Sequence, residues 1–113
     1  MDEKILKWLF DIKLAIAEIE SYFQDLPKDF NQYSKNLILK RAVERDLEII
    51  GEAVNRILKK DPDFPIENAY KIVGLRNHII HAYDNISDEN LWAIIQKHIP
   101  LLKLEVLKLI DSE

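Results

Sequence analysis

Apolar residues recur at Ile5, Leu9, Ile12, Ile16, Ile19 and Phe23, steps of four and three that keep them on one side of a helix. The spacing predicts a helix from about Asp2 to about Gln24. It is ended by Leu26-Pro27, because a proline ring disfavours helical geometry in the residue before it. Lys28 to Tyr33 reads as one short helical turn, with Ser34 placed to cap the next helix. That second long helix is expected from Lys35 to Lys60, where Val43, Leu47, Ile50, Val54 and Ile57 repeat the stripe. Asp61-Pro62-Asp63-Phe64-Pro65 stops it. Pro65 suits the first turn of a third helix over about Ile66 to Ala82, where a missing N–H has no partner to lose. Gly74 lies mid-helix there at a cost of about 1 kcal/mol against alanine, which predicts a close packing contact or a bend. Asp84-Asn85-Ile86 reads as a turn, and Ser87 with Asp88 and Glu89 as the capped, acidic start of a fourth helix. Its apolar face is Leu91, Ile95, Leu102, Val106 and Leu109, interrupted by Pro100, which predicts a kink or a break into two pieces.

Four or five helices joined by short connections predict an all-α, up-and-down four- to five-helix bundle, with residues 1–113 as one domain. Composition narrows the alternatives. The 2 glycines and 4 prolines are too few for the turns of a many-stranded fold. No run approaches the ~18 apolar residues of a membrane span, and Asp2, Glu3, Lys4 and Lys7 charge the start of the chain as no secretory leader is charged. The expected location is cytoplasmic, with no membrane partner. Absence of cysteine excludes disulfides, thiolate metal sites and cysteine nucleophiles. A net charge of −4 argues against broad coating of nucleic acid, so any such contact has to be local. Trp8, Phe10 and Trp92 are more apolar surface than four seams need, and they predict a two-fold symmetric homodimer.

Most cofactor and metal chemistry lacks its residues. Gly51 and Gly74 stand too far apart for a phosphate loop, no Glu lies three residues before His78, His81 or His98, and no Gly-x-Ser-x-Gly elbow occurs. No cofactor and no metal is expected. What remains is Arg76-Asn77-His78-Ile79-Ile80-His81-Ala82-Tyr83, in which a cation, an amide, two imidazoles and a phenol crowd one helix end. On an ideal helix Asn77 and His81 share one face and Arg76 and Tyr83 another, but the long arginine stem and a helix end that frays or tightens at Asp84-Asn85 let Arg76 and His81 border one cleft. Arginine with histidine suits phosphodiester cleavage: the guanidinium holds phosphate oxygens while imidazole moves a proton near neutral pH, and an RNA 2′-OH supplies the nucleophile. The same residues also suit an ordinary basic helix end, with Tyr83 packed and its hydroxyl outward. Spacing leaves both readings open, whereas His78 and His98 read as ordinary helix or packing residues.

Arg76, four residues, His81, one residue and Tyr83 resemble the R-x4-H-x-Y signature of the HepT branch of HEPN-domain proteins. The stretch Arg41 to Ala53 is similar to that family's second long helix, and Gly74-Leu75-Arg76-Asn77 to its approach to the catalytic motif. One departure is Ile66-Glu67-Asn68-Ala69-Tyr70, where many members carry a tryptophan. The resemblance covers nearly the whole chain. It implies a homodimeric HEPN fold and a metal-independent endoribonuclease, the toxin of a type VII HEPN/MNT toxin–antitoxin module. Arg76 and His81 are then the catalytic pair, Asn77 the polar residue beside them, and Tyr83 the site of AMP addition by a minimal nucleotidyltransferase antitoxin. The alternative it leaves is a catalytically silent HEPN adaptor that binds such a nucleotidyltransferase.

Overall fold

A computed structural model describes residues 1–24, 29–81 and 87–112, with the His81 side chain outside that set. Its helices are α1 (Glu3–Tyr22), α2 (Phe30–Lys35), α3 (Leu37–Lys60), α4 (Ala69–His81), α5 (Asp88–Ala93) and α6 (Ile99–Asp111). A π-helical turn, Ile94–His98, joins the last two. No described helix is long and apolar enough to cross a membrane.

The predicted stripes form the core: Leu9, Ile12, Ile16 and Ile19 of α1 meet Val43, Ile50, Val54 and Ile57 of α3, and all are nearly inaccessible to solvent. Two ion pairs mark the helix directions. Lys60 at the end of α3 lies 3.0 Å from Asp2 before α1, and Lys103 early in α6 lies 2.9 Å from Glu20 late in α1, so α1 is antiparallel to both neighbours. Trp92 is spent within the subunit, its ring centroid 5.3 Å from that of Tyr33 and 5.8 Å from that of Phe23. Of the residues expected to serve a dimer contact, Phe10 alone is classed as exposed, and Trp8 is half-buried.

Local chemistry shifts several boundaries. Ser34 does not cap the second long helix: its hydroxyl donates to the Asn31 carbonyl inside α2, and Asn36 accepts the Leu39 N–H at 3.0 Å instead. Pro65 does not open α4, which starts at Ala69. Ile66 is pinned in the core, and Asn68 takes φ 61°, a left-handed conformation that asparagine tolerates better than most residues, so the chain turns once more before the helix begins. Ser87 caps α5 as expected, and Asp2 caps α1. The break at Pro100 is also present. Ile99 N–H reaches back to Ile94 in a wide turn, which leaves room for the ring of Pro100 in the first turn of α6. The close approach expected at Gly74 is absent among the described residues, because a Cβ there would meet nothing within 4 Å. The Leu26-Pro27 stop and the Asp84-Asn85-Ile86 turn lie outside the described residues.

One charged side chain is buried among the described residues. Asp46 is 1% exposed between α1 and α3 and accepts a 2.6 Å hydrogen bond from the Tyr22 hydroxyl. Burial, with Glu18 alongside, pushes its carboxyl up to about 6, while the bond to Asp46 pushes Tyr22 up to about 12. An acid whose folded pKa is raised holds its proton more tightly folded than unfolded. Its stabilising share is therefore complete below the unfolded value near 4 and is lost as pH rises through about 6. Asp46→Asn keeps an acceptor for Tyr22 but does not titrate. Urea unfolding at pH 4 and pH 7 is expected to show wild type losing about 2–3 kcal/mol relative to Asp46→Asn across that interval. An equal difference at both pH values would disprove the assignment.

Candidate functional site

Among the described helices α4 packs on α3 alone, and Gly51 sets the distance. A Cβ built on Gly51 would overlap Cβ of Arg76, lie 2.8 Å from its Cγ and 3.3 Å from the Ile72 carbonyl oxygen. The Arg76 stem therefore rests on bare backbone of α3, which an alanine would not permit. From there its guanidinium spreads over two anchors: Nη2 lies 2.6 Å from Glu52 Oε2, and Nη1 donates to Asn77 Oδ1 at 2.8 Å. Glu52 is shared, since its Oε1 accepts a 3.1 Å bond from Arg56 Nε.

The Arg76–Glu52 contact is an ion pair without hydrogen-bond alignment. Glu52 Oε2 and Arg76 Nε are both buried with no hydrogen-bond partner among the described residues. A quarter of the Arg76 side chain remains exposed. The guanidinium is thus fixed in place by its neighbours, with its unpartnered Nε closed off from solvent and the exposed quarter of the side chain open to a phosphate oxygen.

The structure brings Arg76 and Asn77 together as neighbours, Asn77 on the exposed side. His78 is exposed, and His98 lines a separate cleft with Ile72 and Leu102. His81 is the last residue of α4, one helical turn past Asn77, with its side chain outside the described set. Tyr83 lies outside the described residues altogether. Gly51, Glu52 and Arg56 carry no assigned role in the sequence reading. The usable signal was the glycine in the middle of the longest helix, with a Glu and an Arg four residues apart just after it.

Comparison with known proteins places the chain in a family. The family model described as Ribonuclease HepT-like matches residues 12–109, from the middle of α1 to the last turns of α6. The chain belongs to the HepT-like ribonuclease family. A Methanocaldococcus jannaschii protein named as a candidate RNase is 37% identical over 101 residues, covering 88% of this chain and 90% of its own length. A second from that organism, also named as a candidate RNase, is 34% identical over 111 residues, covering 90% of this chain and 93% of its own. A Thermococcus cleftensis protein named as a candidate ribonuclease HepT is 32% identical over 106 residues, covering 90% and 92%. No solved structure gives a significant match. The HepT-like match takes in the whole of α3 and α4, hence Gly51, Glu52 and Arg76, and the all-α HEPN-like bundle is the fold observed. HepT-like membership supports a ribonuclease.

Proposed function

We propose that residues 1–113 form a single HEPN-like domain that acts as a metal-independent endoribonuclease, the toxin of a type VII toxin–antitoxin module, with Arg76 and His81 as its catalytic pair. The observation that carries the reading is the Arg76 guanidinium, braced by Glu52 and Asn77 at the edge of an open cleft with a quarter of its side chain exposed. The fork holds the non-bridging oxygens of a phosphodiester and stabilises the charge that develops on them. His81 takes the proton from the 2′-OH, whose oxygen bonds to phosphorus as the bond to the 5′-oxygen breaks. The departing oxygen gains a proton, leaving a 2′,3′-cyclic phosphate and a 5′-hydroxyl. Asn77 holds the guanidinium plane.

This route requires the 2′-OH. Purified protein in EDTA is expected to cut an RNA oligonucleotide and leave cyclic phosphate ends, and to spare the same sequence made of DNA. Cleavage that stops on adding EDTA, or that proceeds equally well on DNA, would sink the reading.

Control is assigned to Tyr83, where a nucleotidyltransferase antitoxin attaches AMP. The added phosphodiester brings an anion beside the guanidinium and the nucleotide fills the substrate groove. A homodimer that sets two Arg76 ends side by side gathers local positive charge on a chain of net charge −4. With the partner enzyme and ATP, peptide mass spectrometry is expected to find AMP on Tyr83 and cleavage to cease. Full activity with Tyr83 completely modified would overturn this control.

A further inference from the structure

Arg76 lines a cleft of about 320 Å³ that lies over the outer side of α3, with Trp8 of α1 and Ile80 of α4 among its walls. That volume falls in the range of small-molecule sites, about 300–1,000 Å³. The lining includes two kinds of surface. Trp8, Ile49 and Ile80 are apolar, whereas Arg56 and Arg76 present guanidinium groups.

Three carboxylates, Asp11, Glu48 and Glu52, face three arginines, Arg45, Arg56 and Arg76, around the cleft, but they are not evenly paired. Lys7 answers Asp11 at 2.9 Å and Arg45 answers Glu48 at 3.4 Å, but Glu52 alone stands between Arg56 and Arg76, at 3.1 and 2.6 Å. The positive excess is thus local to the Arg56–Glu52–Arg76 group, in a cleft whose lining is neutral as a whole and also offers an indole. Arg56 is about half exposed and rests on Glu52 through a surface pair worth little, so it is free to turn to a better acceptor. A half-buried indole beside two arginines with one carboxylate between them suits a ligand that joins a planar ring to a compact anion.

We propose that this cleft binds one nucleotide unit of RNA, its base against Trp8 and Ile49 and its phosphate on Arg56 together with Arg76. The role deepens the ribonuclease reading and rests on it, whereas the binding itself does not. Arg56 becomes a binding residue, and Trp8 gives a single-stranded substrate a stacking platform that tolerates any base.

Calorimetric titration of the purified protein with uridine 3′-monophosphate, inorganic phosphate and uridine tests this directly. The nucleotide is expected to bind at least tenfold more tightly than either half. Trp8→Leu, which keeps apolar bulk, is expected to weaken nucleotide binding roughly tenfold, the order of one base–aromatic stack, and to leave phosphate binding unchanged. Trp8→Phe restores most of the loss, and Arg56→Gln weakens nucleotide and phosphate alike. Phosphate bound as tightly as the nucleotide, or nucleotide affinity unmoved in Trp8→Leu, would overturn the proposal. RNA cleavage serves as the separate arm. Nucleotide binding without cleavage refutes the ribonuclease reading and keeps the cleft, while cleavage without nucleotide binding does the reverse.

Discussion

Arg76→Ala and His81→Ala are each expected to lower RNA cleavage by about 10²–10⁴-fold, the range for losing a positioned proton carrier or a preorganised charge in the transition state. Arg76→Lys separates charge from shape. It keeps the aliphatic stem over Gly51 and the positive charge, but a lysine has no planar fork to span Glu52, Asn77 and a phosphate together. Its activity is expected to stay within about tenfold of Arg76→Ala. For His81→Ala the midpoint of thermal unfolding is expected to stay near that of wild type, whereas Arg76→Ala strips the cation from the buried Glu52 oxygen and is expected to lower it, so cleavage is read well below both midpoints. A His81→Ala protein that cleaves at the wild-type rate in EDTA would remove the catalytic pair.

Gly51→Ala is expected to destabilise the fold by about 1–3 kcal/mol, the usual penalty for forcing an extra methyl into a closed contact. Helix propensity favours alanine by about 1 kcal/mol and works against that loss. The contact prevails because the group in the way is Cβ of Arg76, fixed to the backbone of α4, and α4 has to move as a body to make room. Cleavage is expected to fall further than stability, since the displacement carries the guanidinium off Glu52. Gly74→Ala is the matched control, on open surface, and is expected to stabilise by about 0.5–1 kcal/mol. Chemical denaturation of the pair, with the two changes of opposite sign, checks the argument. A Gly51→Ala protein as stable and as active as wild type would refute it.

The two glycines show where sequence reading reached its end. Periodicity located the long helices and their buried faces, because burying one stripe along a helix is a local property of spacing. Propensity also said that a mid-helix glycine needs a reason. It did not say which glycine had one, because the reason at Gly51 is a residue 25 positions further on, brought there by the fold. The same limit applies to Glu52, an ordinary helix-surface acid by pattern that becomes the shared anchor of two arginines only after α4 lies down on α3. The helix start at Pro65 and the cap at Ser34 failed for local reasons, a left-handed Asn68 and a competing cap that residue type alone ranks only weakly. Arg76 and Asn77 stand out in the sequence through the motif they resemble, and the structure adds their bond to each other.

One-sided attachment of α4 has a consequence for motion. A helix that packs on a single described neighbour, with Tyr70, Asn77 and His78 facing solvent, has fewer buried contacts to break than α1 or α3. Its amides are expected to exchange with deuterium through openings of lower free energy than the global unfolding that releases the centre of α3. The Arg76 guanidinium thus rides on a helix held along one face, which opens more readily than the α1–α3 pair at the centre of the bundle.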